Sequence, residues 1–396
     1  MRFFLPTSLD PATFPGNGDR PARIAHVGHL VSTRPYDANR AFVSINNTRI
    51  ESEISAAAWR QTRSFYEDGY WEVDHDFIPA SMSKGYRWNA EWRSKSCSFH
   101  IIHCPRFKRH LDAVHAKHRN RHYGPIEWQQ EMDMRHLGLP DNFDSLSFAT
   151  ALPDKPGVKD VNHRISVFVS CSFSIIDGHI GVVTRDDFGR RSHCLVTRTP
   201  RELRPHLTLC GAPTVEIDLG NSQPYFSAAI FRDIPGLARS VSNGSFYAHI
   251  NQFLPLPYDL TDPDSKDRLK RHCLMMMFAG PKNGCEWFKE PDSPVWNVRR
   301  AADLAFPGFT NAIDSYRKCH GDNALVRKLQ LMESGVFIDS ALAHIQTLGI
   351  RAIPIHDALL CRQRDAPQVR QILAGELQRA TGIPPNLRTS GLEWKN

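Results

Sequence analysis

No stretch of this 396-residue chain runs for about 18 consecutive apolar residues, so no membrane span is expected. The apolar part of its first six residues is too short for a secretory signal. Nine cysteines (Cys97, Cys104, Cys171, Cys194, Cys210, Cys273, Cys285, Cys319 and Cys361) are scattered without a single CxxC pair. That odd, dispersed set argues against a disulfide framework or a zinc ribbon and for reduced thiols in a cytoplasmic setting. Internal repeats and low-complexity tracts are absent, which excludes solenoid and linker classes. Neither sign of charge dominates: 49 Lys and Arg against 42 Asp and Glu leave a net +7. Such a balance admits a polyanionic partner without requiring one. With 41% hydrophobic and 23% charged residues, the chain reads as an ordinary globular protein, long enough for two or three domains.

The first 40 residues or so, rich in Pro, Gly, Asp and Asn, read as a loop-like lead-in. Ile54, Ala57, Ala58 and Phe65 recur at helical spacing and predict one helix over 51–66. Strands are expected over 86–92 and 98–102, and a β-rich apolar run over 165–176, closed by a turn at Asp177 and Gly178. Between them, residues 108–122 hold Lys108, Arg109, Lys117, Arg119 and Arg121 beside four histidines. This run is either a solvated face or a contact to nucleic-acid phosphates. Asp262 and Pro263 mark a helix start, an N-cap followed by proline at the first turn, and the helix should run to Phe278. Further helices are predicted over 323–348, stopped by Gly349, and over 366–380.

Two carboxylates stand where the surroundings are apolar. Asp218 follows Val215 and Ile217 and precedes Leu219; Asp357 lies between Ile355 and Ala358–Leu360, next to His356. A buried charge is costly unless it is paired or binds a metal, so two such strands side by side imply one shared cation site. Mg²⁺ needs only one or two protein carboxylates and takes its other ligands from substrate phosphates and water. Between the aspartates, Lys266, Lys270, Leu274 and Phe278 follow at four-residue intervals and share one helical face, cation at one end and aromatic at the other. Phosphoryl transfer depends on this kind of charge neutralisation and positioning.

In this order, the three segments resemble motifs A, B and C of the family A DNA polymerases and single-subunit phage-type RNA polymerases. Gly189, Arg190 and Arg191 resemble the Gly-Arg segment ahead of motif A, and Leu329-Gln330 the glutamine helix ahead of motif C. The likeness covers about residues 180–365 and is nearest to small polymerase-like proteins of phages and mobile elements, some of them primases. It implies an α+β fold of right-hand type, with an antiparallel palm sheet, helical fingers and a mixed N-terminal region. The implied division is 1–160, an accessory or template-binding region, and 161–396, palm and fingers.

The resemblance implies Asp218, Leu219 and Asp357 as metal-binding residues for two Mg²⁺ ions, with Mn²⁺ as a substitute. Asp218, Asp357 and Lys270 become the catalytic set, and Gln223, Lys266, Lys270 and Phe278 the nucleotide-binding set. Arg190, Arg191, Gln330 and His356 are implied contacts to DNA, as primer-template or single strand, with nucleoside triphosphates as substrates and a helicase or small accessory protein as candidate partners. Several positions depart from the pattern: Lys266 replaces arginine, Phe278 tyrosine, Ala279 glycine, and Gln223 stands where DNA polymerases have a glutamate that crowds the ribose 2′-hydroxyl. An amide can donate as well as accept, so relaxed sugar choice is expected. No exonuclease carboxylate pattern is recognisable in the first 150 residues. Three functions remain open: a DNA polymerase, a primase-polymerase, and an inactive replication or defence protein that binds nucleic acid on the same scaffold.

Overall fold

A computed structural model of the chain describes residues 1–34, 42–75, 84–117, 123–152, 161–176, 178, 181–278 and 293–391. It is a mixed structure of helices and antiparallel sheet, in which the chain folds into two packing units by turns. One comprises Met1–Arg121, Leu137–Val182 and Arg198–Leu207; the other comprises His122–His136, Val183–Thr197 and Thr208–Asn396. Residue 160, the expected boundary, lies outside the described residues, as do Arg119, Arg121, Asp177, Ala279 and Gly280.

The first unit is organised by aromatic packing. Trp59, Tyr66, Tyr86 and Phe107 are wholly buried with Phe3, Leu5 and Val27, and Tyr66 stacks on Trp71 with ring centroids 4.2 Å apart. The lead-in is not loop: Arg2–Pro6 pairs antiparallel with Cys97–Ile101, and Arg20–Thr33 is a helix. The predicted helix over 51–66 is broken, into Asn47–Ile54 and Ala56–Glu67, because Ser55 takes a positive φ of 77° and caps the second helix by accepting from Ala58 N–H. Gly85–Trp88 is a strand, but Asn89 then accepts from Trp92 N–H and starts a short helix, Ala90–Arg93, so the strand stops early.

The run expected as β-structure over 165–176 is a helix, Val161–Ile176. Among its described side chains Phe168, Cys171, Ser172 and Ile175 are buried, spaced three and four apart; in the sequence this period is masked by serines alternating with apolar residues over 170–175. The helix Pro105–Lys117 buries Phe107, Leu111 and Val114 and leaves Lys108, Arg109 and Lys117 exposed.

The second unit is built on an antiparallel sheet containing β1 (Thr208–Leu209), β2 (Ala212–Leu219), β3 (Ala352–Ile355), β4 (Ala358–Arg362) and β5 (Leu387–Ser390). In it β3 pairs β4, β4 pairs β2, and β2 also pairs β1 and β5. Val215, Ile217 and Leu219 of β2 join Leu359 and Cys361 of β4 in the core, while Glu216 and Asp218 point to the other face, as the period of two requires. The core is completed by the helices α1 (Ser222–Ile230), α2 (Pro263–Phe278), α3 (Ala324–Ser334) and α4 (Ala366–Thr381). Asp262 caps α2 as expected, accepting from Ser265 N–H at 2.9 Å.

The helix expected over 323–348 is not uniform. After α3 it widens into a π-helical stretch, Gly335–Leu342, before ending as Ala343–Thr347. Such wide turns tend to occur at functional sites.

Candidate functional site

The apolar segment carrying His356 and Asp357 is two strands, not one. Ile355 pairs with Ala358, and His356 with Asp357 forms the two-residue connection between β3 and β4. His356 has φ of 54°, the left-handed conformation that such tight hairpins demand. Asp218 lies opposite Ala358 in the β2–β4 pair, and Leu219 N–H donates to the carbonyl of Asp357 at 3.0 Å. The two aspartates therefore meet at one end of the sheet. On the other side of β2, Asp218 is in register with the exposed Arg388 of β5.

The electrostatics follow from this neighbourhood. Burial, together with the charges of Glu333 and Asp218, pushes the Asp357 carboxyl up to about 7; Arg191 acts in the opposite sense. Two facing carboxylates that resist being ionised together are suited to a hard divalent cation. Among the described residues no group of three or more His, Cys, Asp and Glu side chains gathers as a ligand set, so the pair itself is the candidate cradle. Leu219 turns its side chain into the core and spends its N–H on Asp357.

Around the pair, three of the implied DNA and nucleotide residues, Arg191, Gln223 and Gln330, are drawn together by α3. Glu333, 1% exposed, accepts from Nε and Nη2 of Arg191 on one carboxylate oxygen, at 2.9 and 2.8 Å. Its other oxygen accepts from the Ser222 hydroxyl at 2.9 Å and from the Gln223 amide at 2.6 Å. Burial raises the Glu333 pKa even against these four donors. One turn earlier, Gln330 packs over Gly189, and Arg327 Nε donates to the Phe188 carbonyl at 3.2 Å. Residues 327, 330 and 333 thus use one face of α3 to hold the Gly-Arg segment.

That segment is braced from its own side as well. Asp186 accepts from the N–H groups of Gly189 and Arg191 and sits 3.2 Å from His193 Nε2. Burial opposes its charge, yet these bonds hold its pKa below the usual carboxylate range. The His193 ring stands edge-on to His356, centroids 6.3 Å apart. Arg190, exposed and at φ 57°, gives its carbonyl to Arg185 Nε, and Arg185 reaches Asp339 in the π-helical stretch at 2.6 Å.

The packing of Gly189 carries a stability prediction. A Cβ there would come within 2.3 Å of Gln330 Oε1 and 2.6 Å of Gln330 Cβ. Moving the amide relieves only the first contact, so Gly189→Ala is expected to lose about 1–3 kcal/mol in urea denaturation. A stability within 0.3 kcal/mol of the wild type would show that the loop does not pack on α3.

Motif B is less tied to the pair. Lys270 is partly exposed and ion-paired with Asp267 at 3.2 Å, Lys266 is exposed, and Phe278 is half-buried on the same row. Lys270 thus spends its ion pair within α2, on Asp267. The Gln223 amide, expected to meet a ribose, has its N–H on Glu333, and its Oε1 is buried without a hydrogen-bond partner among the described residues. Asp186, His193 and Arg388 carry no signal in the sequence, whereas Glu333 belongs to the segment from Leu329 to Ser334 that shares the polymerase-like resemblance. It lies three residues after Gln330 on the same helical face. Tyr247 is a further neighbour: burial raises its pKa well above the usual phenol, and Cys273 of α2 and Asp357 push the same way.

No family model matches the chain, and no curated protein does. Among solved structures, it is similar to the polymerase domain of Pol1 from M. smegmatis in complex with DNA primer-template and dNTP, with a TM-score of 0.39 and 13% identity. The similarity covers 63% of this chain and 55% of that one, so it spans about half the length of its neighbour.

Proposed function

We propose that this chain is a template-directed nucleotidyltransferase, a DNA polymerase or primase-polymerase of right-hand type, with β2–β5 as palm and α2 among the fingers. One observation carries the reading: Asp218 and Asp357 meet at the ends of two hydrogen-bonded antiparallel strands, with Arg191 and Glu333 beside them. In this reading Asp218, Leu219 and Asp357 hold two Mg²⁺ ions, or Mn²⁺, which when bound neutralise the triphosphate and favour the ionised 3′-hydroxyl. Arg190, Arg191, Gln330 and His356 line the path of primer and template, and Gln223 and Phe278 face the nucleotide. The 1–160 region, with Lys108 and Arg109, grips template. The enzyme works in the cytoplasm, alone or with a helicase or small accessory protein.

The test is incorporation of labelled ribo- and deoxyribonucleotides on primed and unprimed DNA with Mg²⁺ or Mn²⁺. Extension of a primer is the expected result, and synthesis without one would make the enzyme a primase-polymerase. Binding of DNA with no incorporation under any of these conditions would replace the reading by the inactive scaffold.

Within it, Lys270 is the phosphate-binding lysine. It sits one turn closer than Lys266 to the apolar end of the α2 row, and leaving Asp267 frees its ammonium. Lys270→Ala is expected to raise the nucleotide KM about tenfold, the worth of one charge-assisted contact. Lys266→Ala should change it less than threefold. Equal effects from the two would mean diffuse attraction instead.

A further inference from the structure

A carboxylate that is 1% exposed on an otherwise amphipathic helix calls for a reason, since a buried ion pair contributes little to stability that an apolar replacement would not. Glu333 divides its two oxygens between two tasks. One holds the Arg191 guanidinium by Nε and Nη2; the other holds Ser222 and Gln223, the first residues of α1 after the strand that ends beside Asp218. Both bonds to Glu333 use the Nε and Nη2 atoms of Arg191, 24% of its side chain stays exposed, and its charge acts on the Asp357 carboxyl. Asp186 fixes the same residue by its backbone.

We infer that Glu333 is a positioning residue, one that sets the Arg191 guanidinium against the Asp218–Asp357 pair to receive a phosphate oxygen of the substrate or primer. This rests on the polymerase reading, and it adds the direction of dependence: Glu333 acts through Arg191. Glu333 itself touches no substrate, because all of its acceptor capacity is used within the fold.

A double-mutant cycle tests it. Glu333→Gln, Arg191→Ala and the double variant are compared in single-nucleotide primer extension, with kcat and KM separated, and melting temperatures are recorded for each. Arg191→Ala alone leaves a buried charge without its partner, whereas the double variant carries no such charge and stays measurable if the single variant folds poorly. Each single change is expected to lower kcat/KM 10–100-fold, and the double change no further than the worse single one. Multiplying losses, or a Glu333→Gln enzyme with wild-type kcat/KM, would overturn the inference and leave Glu333 as a structural strut. A wild-type protein that extends no primer overturns the polymerase reading instead. The inference is then decided on the affinity of the same variants for hairpin DNA: matched losses in both single variants uphold it, and an unchanged Glu333→Gln affinity overturns it.

Discussion

Asp218→Asn and Asp357→Asn are each expected to cut primer extension by about 10³-fold or more, the equivalent of roughly 4 kcal/mol of charge stabilisation lost from the transition state. Asparagine keeps the shape of both side chains. Asp218 points away from the core formed by Val215, Ile217 and Leu219, so its replacement leaves β2 packed as before. Asp357 sits in the hairpin connection, where its backbone carbonyl, not its carboxylate, accepts from Leu219 N–H. DNA affinity should therefore change less than threefold, and the far-ultraviolet spectrum not at all. Extension within tenfold of the wild type by either variant would remove that aspartate from the catalytic set.

The second large effect is on stability and its pH dependence in chelated protein. In the unfolded chain Asp357 ionises near 4, whereas in the fold burial, Glu333 and Asp218 hold it protonated up to about 7. Between those values the folded state carries the extra proton. Its stabilising contribution is full below about 4 and is lost as pH rises through 7. Three pH units set a ceiling of about 4 kcal/mol, which partial exposure of Asp357 reduces to about 1–3 kcal/mol. Asp357→Asn has no such titration. In EDTA its stability relative to wild type should therefore rise by that amount from pH 4 to pH 8, measured by urea denaturation. Mg²⁺ or Mn²⁺ favours the ionised carboxylate, so millimolar metal should raise the wild-type melting temperature at pH 8 and leave Asp357→Asn unmoved. Parallel curves for the two proteins, with and without metal, would mean that no cation site exists at the pair.

The Gly189 and Glu333 contacts explain why the Gly-Arg segment holds its shape without regular structure of its own. Its backbone is tied by Asp186, its glycine is covered by Gln330, and one of its arginines is held by Glu333. Loops that present binding groups are usually supported in this way by a rigid element.

Features whose physics is local were legible in the chain. Charges set among apolar strand residues singled out Asp218 and Asp357. An N-cap followed by proline located the start of α2 at Pro263, and the helical period with a closing Gly382 outlined α4. The rest depended on packing between distant segments. The helix Val161–Ile176 hides its period behind Ser170, Ser172 and Ser174 alternating with Cys171, Phe173 and Ile175, a strand-like pattern that only packing partners overrule. The hairpin turn at His356 and Asp357 depends on a positive φ at a histidine, a conformation that no local composition announces. Glu333 stands in a recognisable helix segment, but what it holds could not be read there, because its partners Arg191, Ser222 and Gln223 lie more than 100 positions away in sequence. Contacts made across such separations leave no periodic trace, so the aspartate pair was legible in the chain, while the role of the carboxylate that organises its surroundings emerged only when the strands and α3 packed together.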